Sequence, residues 1–173
     1  NHFGSLEKHA DNFELMSVCD TNTETLNIHT QQYKVTGYQN LEEMLKSEQL
    51  DLVVLCTPSG IHADQTVAAA KHSVHVMTEK PMATRWNDGV RMVKACDEAG
   101  VRLFVVKQNR RNATLQLLKR ATEEKRFGKI YMVHLNVFWT RPQEYYDQAE
   151  WRGTWEFDGG AFMNQASHYV DLL

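Results

Sequence analysis

The stretch that decides the fold is Thr78-Glu79-Lys80-Pro81-Met82-Ala83, which follows the apolar run Ser73-Val74-His75-Val76-Met77. The apolar run predicts a buried strand, so the acid, the lysine and the proline fall at its carboxyl end. The carboxyl ends of parallel strands line the ligand crevice of open α/β sheets. An ammonium there can orient a substrate hydroxyl and lower the pKa of that hydroxyl. The alternative is a surface ion pair between Lys80 and Glu79.

The elements on both sides of this stretch alternate at short spacing. Strands are predicted at residues 13–20, 51–56, 74–78 and 101–106, and helices at residues 21–31, 41–47, 61–71 and 85–99. Asn40 is a predicted N-cap, and Gly100 is a predicted helix-ending residue. Alternating strands and helices predict an α/β fold with a doubly wound parallel sheet.

The pattern changes after about residue 108. Asn112 can cap a helix over residues 113–124, and residues 130–139 alternate as the first strand of a second, open sheet would. Residues 140–158 are predicted to form a long, functional loop. We therefore expect two domains, a dinucleotide-binding domain over residues 1–108 and the beginning of an α+β domain over residues 109–173.

Composition excludes several classes of partner. The 173 residues carry a net charge of -3, from 19 basic and 22 acidic side chains, which argues against binding to nucleic acid or to a membrane surface. No apolar run approaches the roughly 20 residues that span a bilayer. The three cysteines, Cys19, Cys56 and Cys96, lack metal-type spacing, and we expect reduced, mostly buried thiols of a cytoplasmic protein. Both ends fall inside predicted helices, so the sequence is expected to be an internal fragment of a longer enzyme.

Other polar residues also follow predicted strands. Asp20 ends the first strand, where an acid in a dinucleotide-binding fold hydrogen-bonds ribose hydroxyls and favours NAD over NADP. The alternative for Asp20 is a helix cap or a loop acid. Thr57, Pro58 and His62 follow the strand at residues 51–56. A lone histidine at such a place is more often a capping or packing residue than a ligand.

A second cluster, Gly159-Gly160-Ala161-Phe162-Met163-Asn164-Gln165-Ala166-Ser167-His168, follows the long loop. Asn164 and His168 are spaced i and i+4 on a predicted helix, which places them on one face. Histidine is the side chain best suited to accept a proton near neutral pH. The alternative is a core histidine whose ring bonds to a backbone carbonyl.

Arginines supply candidate anion sites. Arg110 and Arg111 precede a helix N-terminus, where guanidinium groups match phosphate oxygens, or they belong to a solvated basic turn. Trp151 and Arg152, in the long loop, can stack on a ring and hold a carboxylate or phosphate.

Glu79-Lys80-Pro81, together with Gly159-Gly160 leading to His168, resembles the glucose–fructose oxidoreductase / inositol dehydrogenase / rhizopine-catabolism (Gfo/Idh/MocA) family. The resemblance implies an NAD-binding Rossmann domain whose first strand and phosphate loop are missing here. It implies that Lys80, His168 and Asn164 are catalytic. The implied cofactor-binding residues are Asp20, Thr57, Pro58, His62, Glu79, Lys80, Gln108, Trp151 and Arg152.

Longer segments at residues 107–114, 138–142, 151–155 and 163–169 are similar to the dehydrogenases that oxidise the 3-hydroxyl of UDP-N-acetylglucosaminuronate for bacterial surface polysaccharide (O-antigen). This similarity implies a nucleotide-sugar substrate and a homo-oligomeric (dimeric or tetrameric) enzyme without a metal. The implied substrate-binding residues are Lys80, Arg110, Arg111, Arg141, Asn164, Gln165 and His168. Asn164 departs from the wider family, in which this position is commonly aspartate. A dehydrogenase of a free sugar or inositol and a non-catalytic NAD-binding sensor are the alternatives.

Overall fold

The structure is a computed structural model that describes residues 2–173. Its strands are β1 (Ser17–Cys19), β2 (Thr36–Tyr38), β3 (Leu52–Leu55), β4 (His75–Thr78) and β5 (Leu103–Val105). Its helices are α1 (His2–Lys8), α2 (Thr23–Tyr33), α3 (Leu41–Ser47), α4 (His62–Lys71), α5 (Trp86–Ala99), α6 (Ala113–Glu123), α7 (Gln143–Asp147) and α8 (Ser167–Val170). Short 3₁₀ turns cover Ser59–Ile61 and Gln108–Arg111, and a π-helical turn covers Phe162–Ala166.

The strands form two parallel groups. β1 pairs with β2, and β3, β4 and β5 form a sheet in that order. Val76 at the centre of β4 lies between Val53 of β3 and Leu103 of β5 and is fully buried, as a strand covered on both faces requires. The prediction of an α/β, Rossmann-type fold with parallel sheets is confirmed.

Local sequence signals set several helix ends as predicted. The Asn40 side chain accepts hydrogen bonds from the backbone N–H groups of Glu42 and Glu43, and the Asn112 side chain accepts one from Thr114. Gly100 ends α5 with a φ of 68°, a left-handed conformation that glycine adopts without strain. α4 and α5 pack against each other.

The prediction of a strand over residues 130–139 is wrong for the described structure. Tyr131 is 83% exposed and Phe138 is 95% exposed, and no strand within residues 2–173 pairs with this segment. A strand needs a hydrogen-bonded neighbour, so an alternating pattern alone does not produce one. The first predicted strand is also shorter than expected, because Phe13 and Met16 are 51% and 42% exposed and only Ser17–Cys19 pairs.

Two further findings concern the thiols and the bilayer. All three cysteines are free, but Cys19 and Cys56 are exposed and only Cys96 is buried, so the prediction of mostly buried thiols is wrong. Within residues 2–173, every helix is too short or too polar to cross a membrane.

Candidate functional site

Lys80 leaves the carboxyl end of β4 and reaches a helix that lies far along the chain. Its peptide bond to Pro81 is cis. The Lys80 Nζ donates to Asn164 Oδ1 at 2.7 Å and to the Asn164 backbone oxygen at 3.0 Å. Both oxygens of Glu79 have other partners: Oε1 lies 2.7 Å from Nε2 of His2, and Oε2 accepts the Lys80 backbone N–H at 3.2 Å. The ion pair considered as the alternative for Lys80 therefore does not form.

The environment of Lys80 favours loss of its proton. Burial lowers the pKa of Lys80 below its ordinary value, and the charges of Lys107 and Arg141 act in the same direction. The carboxylates of Glu79 and Asp158 oppose this by raising the pKa. Lys80 thus lies among charges of both signs and has a shifted pKa, and such groups are common at functional sites.

Asn164 connects Lys80 to a carboxylate that the sequence analysis missed. Asn164 is 6% exposed and Asp158 is 3% exposed. The Asn164 Nδ2 donates to Asp158 Oδ1, and Asp158 Oδ2 accepts the backbone N–H of Gly153 at 3.0 Å. The only signal for Asp158 in the sequence is its place directly before Gly159-Gly160.

His168 lies in α8, one turn beyond Asn164, and is 6% exposed. Its Nδ1 is buried and has no hydrogen-bond partner in the part of the chain that the structure describes. Burial lowers the pKa of His168, as do the charges of Lys80 and Lys107, while Asp171 and Glu79 oppose the change. The lowered pKa favours the neutral imidazole, the form that accepts a proton.

The helix that carries these two residues differs from the predicted α-helix. Phe162–Ala166 form a π-helical turn, and α8 follows directly. π-helical turns are frequent at functional sites. Lys107, two residues after β5, also contacts this helix, with its Nζ 3.4 Å from the Ser167 backbone oxygen. The sequence analysis did not single out Lys107.

His62 is the other buried histidine of this region, and both of its ring nitrogens lie close to backbone oxygens. Its Nδ1 lies 3.1 Å from the Pro81 oxygen and 3.3 Å from the Met82 oxygen, and its Nε2 lies 3.0 Å from the Thr57 oxygen. Burial lowers its pKa. His62 thus ties the turn after β3 to the turn after β4. Its predicted contact with the cofactor stays a prediction.

The remaining predicted cofactor residues lie at strand ends. Asp20 follows β1; its Oδ1 accepts the Asn22 backbone N–H at 2.8 Å, and no side chain within residues 2–173 donates to it. Thr57 and Pro58 follow β3, and the Thr57 hydroxyl donates to Gln65 Oε1 at 2.5 Å. Gln108 begins the 3₁₀ turn after β5 and is exposed. The roles of these residues stay predictions.

Arg141 and Arg152 share one aromatic cluster. The Arg141 guanidinium lies 3.9 Å from the Trp139 ring centre and 4.7 Å from that of Tyr145, and Arg152 lies 4.4 Å from the Tyr145 centre. Arg141 Nη2 also donates to Gln165 Oε1 at 3.2 Å. Trp151 completes the cluster, 4.9 Å from Arg152. The Nε atoms of both arginines are buried without partners in the described residues.

Arg110 and Arg111 differ from each other. Arg110 forms a two-pronged ion pair with Asp171, at 2.8 Å and 2.7 Å. Arg111 is exposed and makes no ion pair within residues 2–173. The structure therefore brings Arg141 and Gln165 to the helix of Asn164 and His168, and it binds Arg110 to Asp171 at the end of that helix.

Known protein families account for almost the whole chain. Residues 1–107 match the oxidoreductase family with an NAD-binding Rossmann fold, and residues 115–173 match the Gfo/Idh/MocA C-terminal domain. The chain belongs to the Gfo/Idh/MocA family of oxidoreductases. The predictions of the family, of an oxidoreductase and of NAD as the cofactor are confirmed at this level.

Two solved structures are similar over the entire chain. The WlbA dehydrogenase from Bordetella pertussis, in complex with NADH and UDP-GlcNAcA, is 63% identical with a TM-score of 0.98, and the chain covers 53% of it. The WlbA dehydrogenase from Chromobacterium violaceum, also with NADH and UDP-GlcNAcA, is 65% identical with a TM-score of 0.97, and the chain covers 50% of it.

A curated relative is more distant. The scyllo-inositol 2-dehydrogenase (NADP(+)) IolW of Bacillus subtilis is 29% identical over 93% of this chain, which covers 44% of that protein. The chain thus spans about half the length of the proteins it resembles.

Proposed function

We propose that the full-length protein oxidises the 3-hydroxyl of UDP-N-acetylglucosaminuronate (UDP-GlcNAcA) and transfers the hydride to NAD. One observation carries the proposal: the Lys80 ammonium is bonded at 2.7 Å to Asn164, one helical turn before a buried His168 whose Nδ1 has no partner in the described residues. The identity of 63% and 65% to proteins solved with NADH and UDP-GlcNAcA supports this choice of substrate.

The strand ends fit a nicotinamide dinucleotide. We assign the ribose hydroxyls to the Asp20 carboxylate, and its lack of a side-chain donor within residues 2–173 supports this assignment. We assign the other contacts to residues at the ends of β3, β4 and β5 and in the aromatic loop, namely Thr57, Pro58, Glu79, Lys80, Gln108, Trp151 and Arg152. When bound, the nicotinamide supplies the hydride acceptor.

His168 and Lys80 divide the work on the sugar hydroxyl. His168 takes the hydroxyl proton, because its low pKa keeps the ring neutral and able to accept. The Lys80 ammonium stabilises the negative charge that develops on the oxygen as the proton leaves. Asn164 fixes that ammonium through its side-chain and backbone oxygens.

The anionic parts of the substrate need cations. We assign the uronate carboxylate to Arg141, which Gln165 and two aromatic rings hold in place. Arg111 is free to meet the diphosphate, whereas Arg110 would first have to leave Asp171. The cytoplasmic location, the homo-oligomeric state and a domain boundary at residues 108 and 109 stay predictions.

The test is turnover by the full-length protein, followed as reduced nicotinamide. We expect oxidation of UDP-GlcNAcA and little of free N-acetylglucosaminuronate or inositol. Lys80→Ala should lower turnover by about 10²–10⁴-fold with the fold intact. Lys119→Ala, whose side chain is 69% exposed on α6, is the matched control and should leave turnover unchanged.

The alternatives give different results in the same assay. Faster turnover of free sugar or inositol than of the nucleotide sugar would contradict the assigned substrate. NAD binding without turnover of any of these compounds would indicate a sensor. Wild-type turnover by Lys80→Ala would contradict the assigned site.

A further inference from the structure

We propose that Asp158 is a positioning residue that acts on Lys80 through Asn164. Asp158 bonds to Asn164 Nδ2, and Asn164 Oδ1 accepts from Lys80 Nζ at 2.7 Å, so carboxylate, amide and ammonium form one continuous chain. The inference rests on the proposed function in one respect, the assignment of Lys80 to the reaction.

The chemistry of the three groups allows only one arrangement of the amide. An ionised carboxylate only accepts hydrogen bonds, and an ammonium only donates them. Placed between them, the Asn164 side chain must turn its N–H₂ toward Asp158 and its oxygen toward Lys80. Asp158 thereby orients the Asn164 amide so that its oxygen, and not its N–H₂, faces the Lys80 ammonium. Because Asn164 and Asp158 are 6% and 3% exposed, water cannot easily take over these bonds.

The loop before the helix holds the carboxylate. Asp158 Oδ2 accepts the Gly153 N–H at 3.0 Å, and the Asp158 N–H donates to the Thr154 oxygen at 3.1 Å. Gly159 follows with a φ of 77°, and a Cβ added there would lie 2.9 Å from the Met163 Cβ. The glycine therefore lets the chain turn from the carboxylate straight into the helix that carries Asn164.

The hydrogen-bonded series Asp158–Asn164–Lys80 accounts for the amide at position 164. An amide cannot pair ionically with Lys80, yet Asp158 supplies a negative charge just behind it and raises the pKa of Lys80 against the effect of burial. The other charges that act on Lys80 are Glu79, Lys107 and Arg141. The wider family commonly has an aspartate at position 164. Here the carboxylate belongs to residue 158, six positions earlier, and the neutral Asn164 amide connects it to Lys80.

The direct test is Asp158→Asn in the full-length protein. The new amide brings a donor, so either the Gly153 N–H loses its acceptor or Asn164 turns its N–H₂ toward Lys80. We expect kcat/KM to fall roughly 10–100-fold, as loss of a charge-assisted hydrogen bond does. The alkaline limb of the pH–rate profile should move down by about one pH unit, because Lys80 loses a nearby negative charge.

A transposed pair separates positioning from mere packing. In Asp158→Asn/Asn164→Asp the carboxylate pairs with Lys80 directly, while the amide at 158 donates to it and still accepts from Gly153. The double variant should recover most of the activity and the alkaline limb. Asn164→Asp alone places two buried carboxylates next to each other, so this single variant should be less active than the double variant. Asp147→Asn, at an exposed position at the end of α7, is the control and should match wild type.

A readout without turnover keeps this inference separate from the proposed function. The pKa of Lys80 is measured by competitive acetylation and mass spectrometry. It should be lower in Asp158→Asn than in wild type, and at or above the wild-type value in the double variant, whose carboxylate meets Lys80 directly. An unchanged Lys80 pKa in Asp158→Asn, or a double variant no better than Asn164→Asp, would overturn the inference even if Lys80→Ala is inactive. If Asp158→Asn does not fold, the folded double variant decides: a Lys80 pKa at or above that of wild type supports the inference, and a lower one overturns it.

Discussion

Two buried histidines lie in two regions of the molecule and have opposite surroundings. In the turn region after β3, His62 is 0% exposed and has backbone oxygens within 3.3 Å of both ring nitrogens. In the helix region, His168 is 6% exposed and its Nδ1 has no partner in the described residues. Burial lowers the pKa of both. The two histidines therefore differ neither in burial nor in the direction of the pKa shift, but in whether their ring nitrogens have hydrogen-bond partners.

The comparison teaches which histidine the fold needs and which one the reaction needs. A buried polar group is costly unless it is hydrogen-bonded, so His62 stabilises the turns that it joins. An orphaned buried nitrogen such as that of His168 costs stability until a ligand supplies the bond. Stability should depend mainly on the first histidine and turnover mainly on the second.

The largest expected effect comes from His168→Ala. Removing the proton acceptor should lower kcat for UDP-GlcNAcA by about 10²–10⁴-fold. The free energy of unfolding should fall by less than in His62→Ala, because the ring Nδ1 has no hydrogen bond to lose within residues 2–173 and the cost is mainly that of the cavity. Steady-state kinetics and urea unfolding of the full-length variant measure both. Wild-type kcat would remove His168 from the reaction.

His62→Ala should show the reverse pattern. Losing the ring contacts and leaving a cavity should reduce the free energy of unfolding by about 2–4 kcal/mol, while the folded fraction keeps most of its turnover. His72→Ala is the matched control, since the His72 side chain is 25% exposed and pairs with Glu42 at 3.0 Å. Unaltered stability with lost turnover would instead give His62 a direct role at the cofactor.

Arg141→Lys should act on substrate binding. Lysine cannot reproduce the planar fork that the rings of Trp139 and Tyr145 hold, so KM for UDP-GlcNAcA should rise roughly tenfold with a smaller change in kcat. UDP-N-acetylglucosamine, which lacks the carboxylate, serves as the control ligand in inhibition assays. Equal weakening of both ligands would show that Arg141 does not bind the uronate.

The pH dependence follows from the lowered pKa of His168. The neutral ring is the active form, so kcat/KM should fall as pH drops through a value below the ordinary 6.5 and stay level from there up to the alkaline limb that Lys80 sets. The Lys107 charge helps to lower that pKa. Lys107→Gln should move the acid limb to higher pH by a fraction of a unit. A shift in the opposite direction would show that another group controls this limb.

The smallest effect is expected for Arg110→Gln. Arg110 lowers the pKa of Asp171, so the pair stabilises the fold above the unfolded-state pKa of the acid and loses this effect as pH falls through the lowered folded-state value. The Arg110 side chain is 64% exposed, so salt should weaken the pair. Melting temperatures at pH 7 should therefore differ slightly from wild type, and those near pH 2 should not. A difference that persists at low pH would contradict this account.

Local signals in the sequence predicted the parts of the fold that depend on neighbouring residues. Asn40 and Asn112 cap their helices, Gly100 ends α5, and Lys80 follows a buried strand, as expected. Each of these features follows from one residue and its immediate surroundings.

Features that depend on distant partners escaped the sequence analysis. Asp158 reads as a loop acid until the fold sets it against Asn164, and the π-helical turn at Phe162–Ala166 has no simple residue signal. Residues 130–139 have a strand pattern but no neighbouring strand within residues 2–173. Three-residue β2 is too short to show a period. The two histidines were likewise distinguished only by their contacts.

The most direct test of the central claim uses UDP-GlcNAcA that carries deuterium at C3 of the sugar, mixed with NAD and the full-length protein. If Lys80 and His168 oxidise the 3-hydroxyl, mass spectrometry should find the deuterium on the reduced nicotinamide with wild type and His62→Ala, and hardly any with His168→Ala. Reduced nicotinamide that forms without the label, or labelled cofactor produced at the wild-type rate by His168→Ala, would contradict the account.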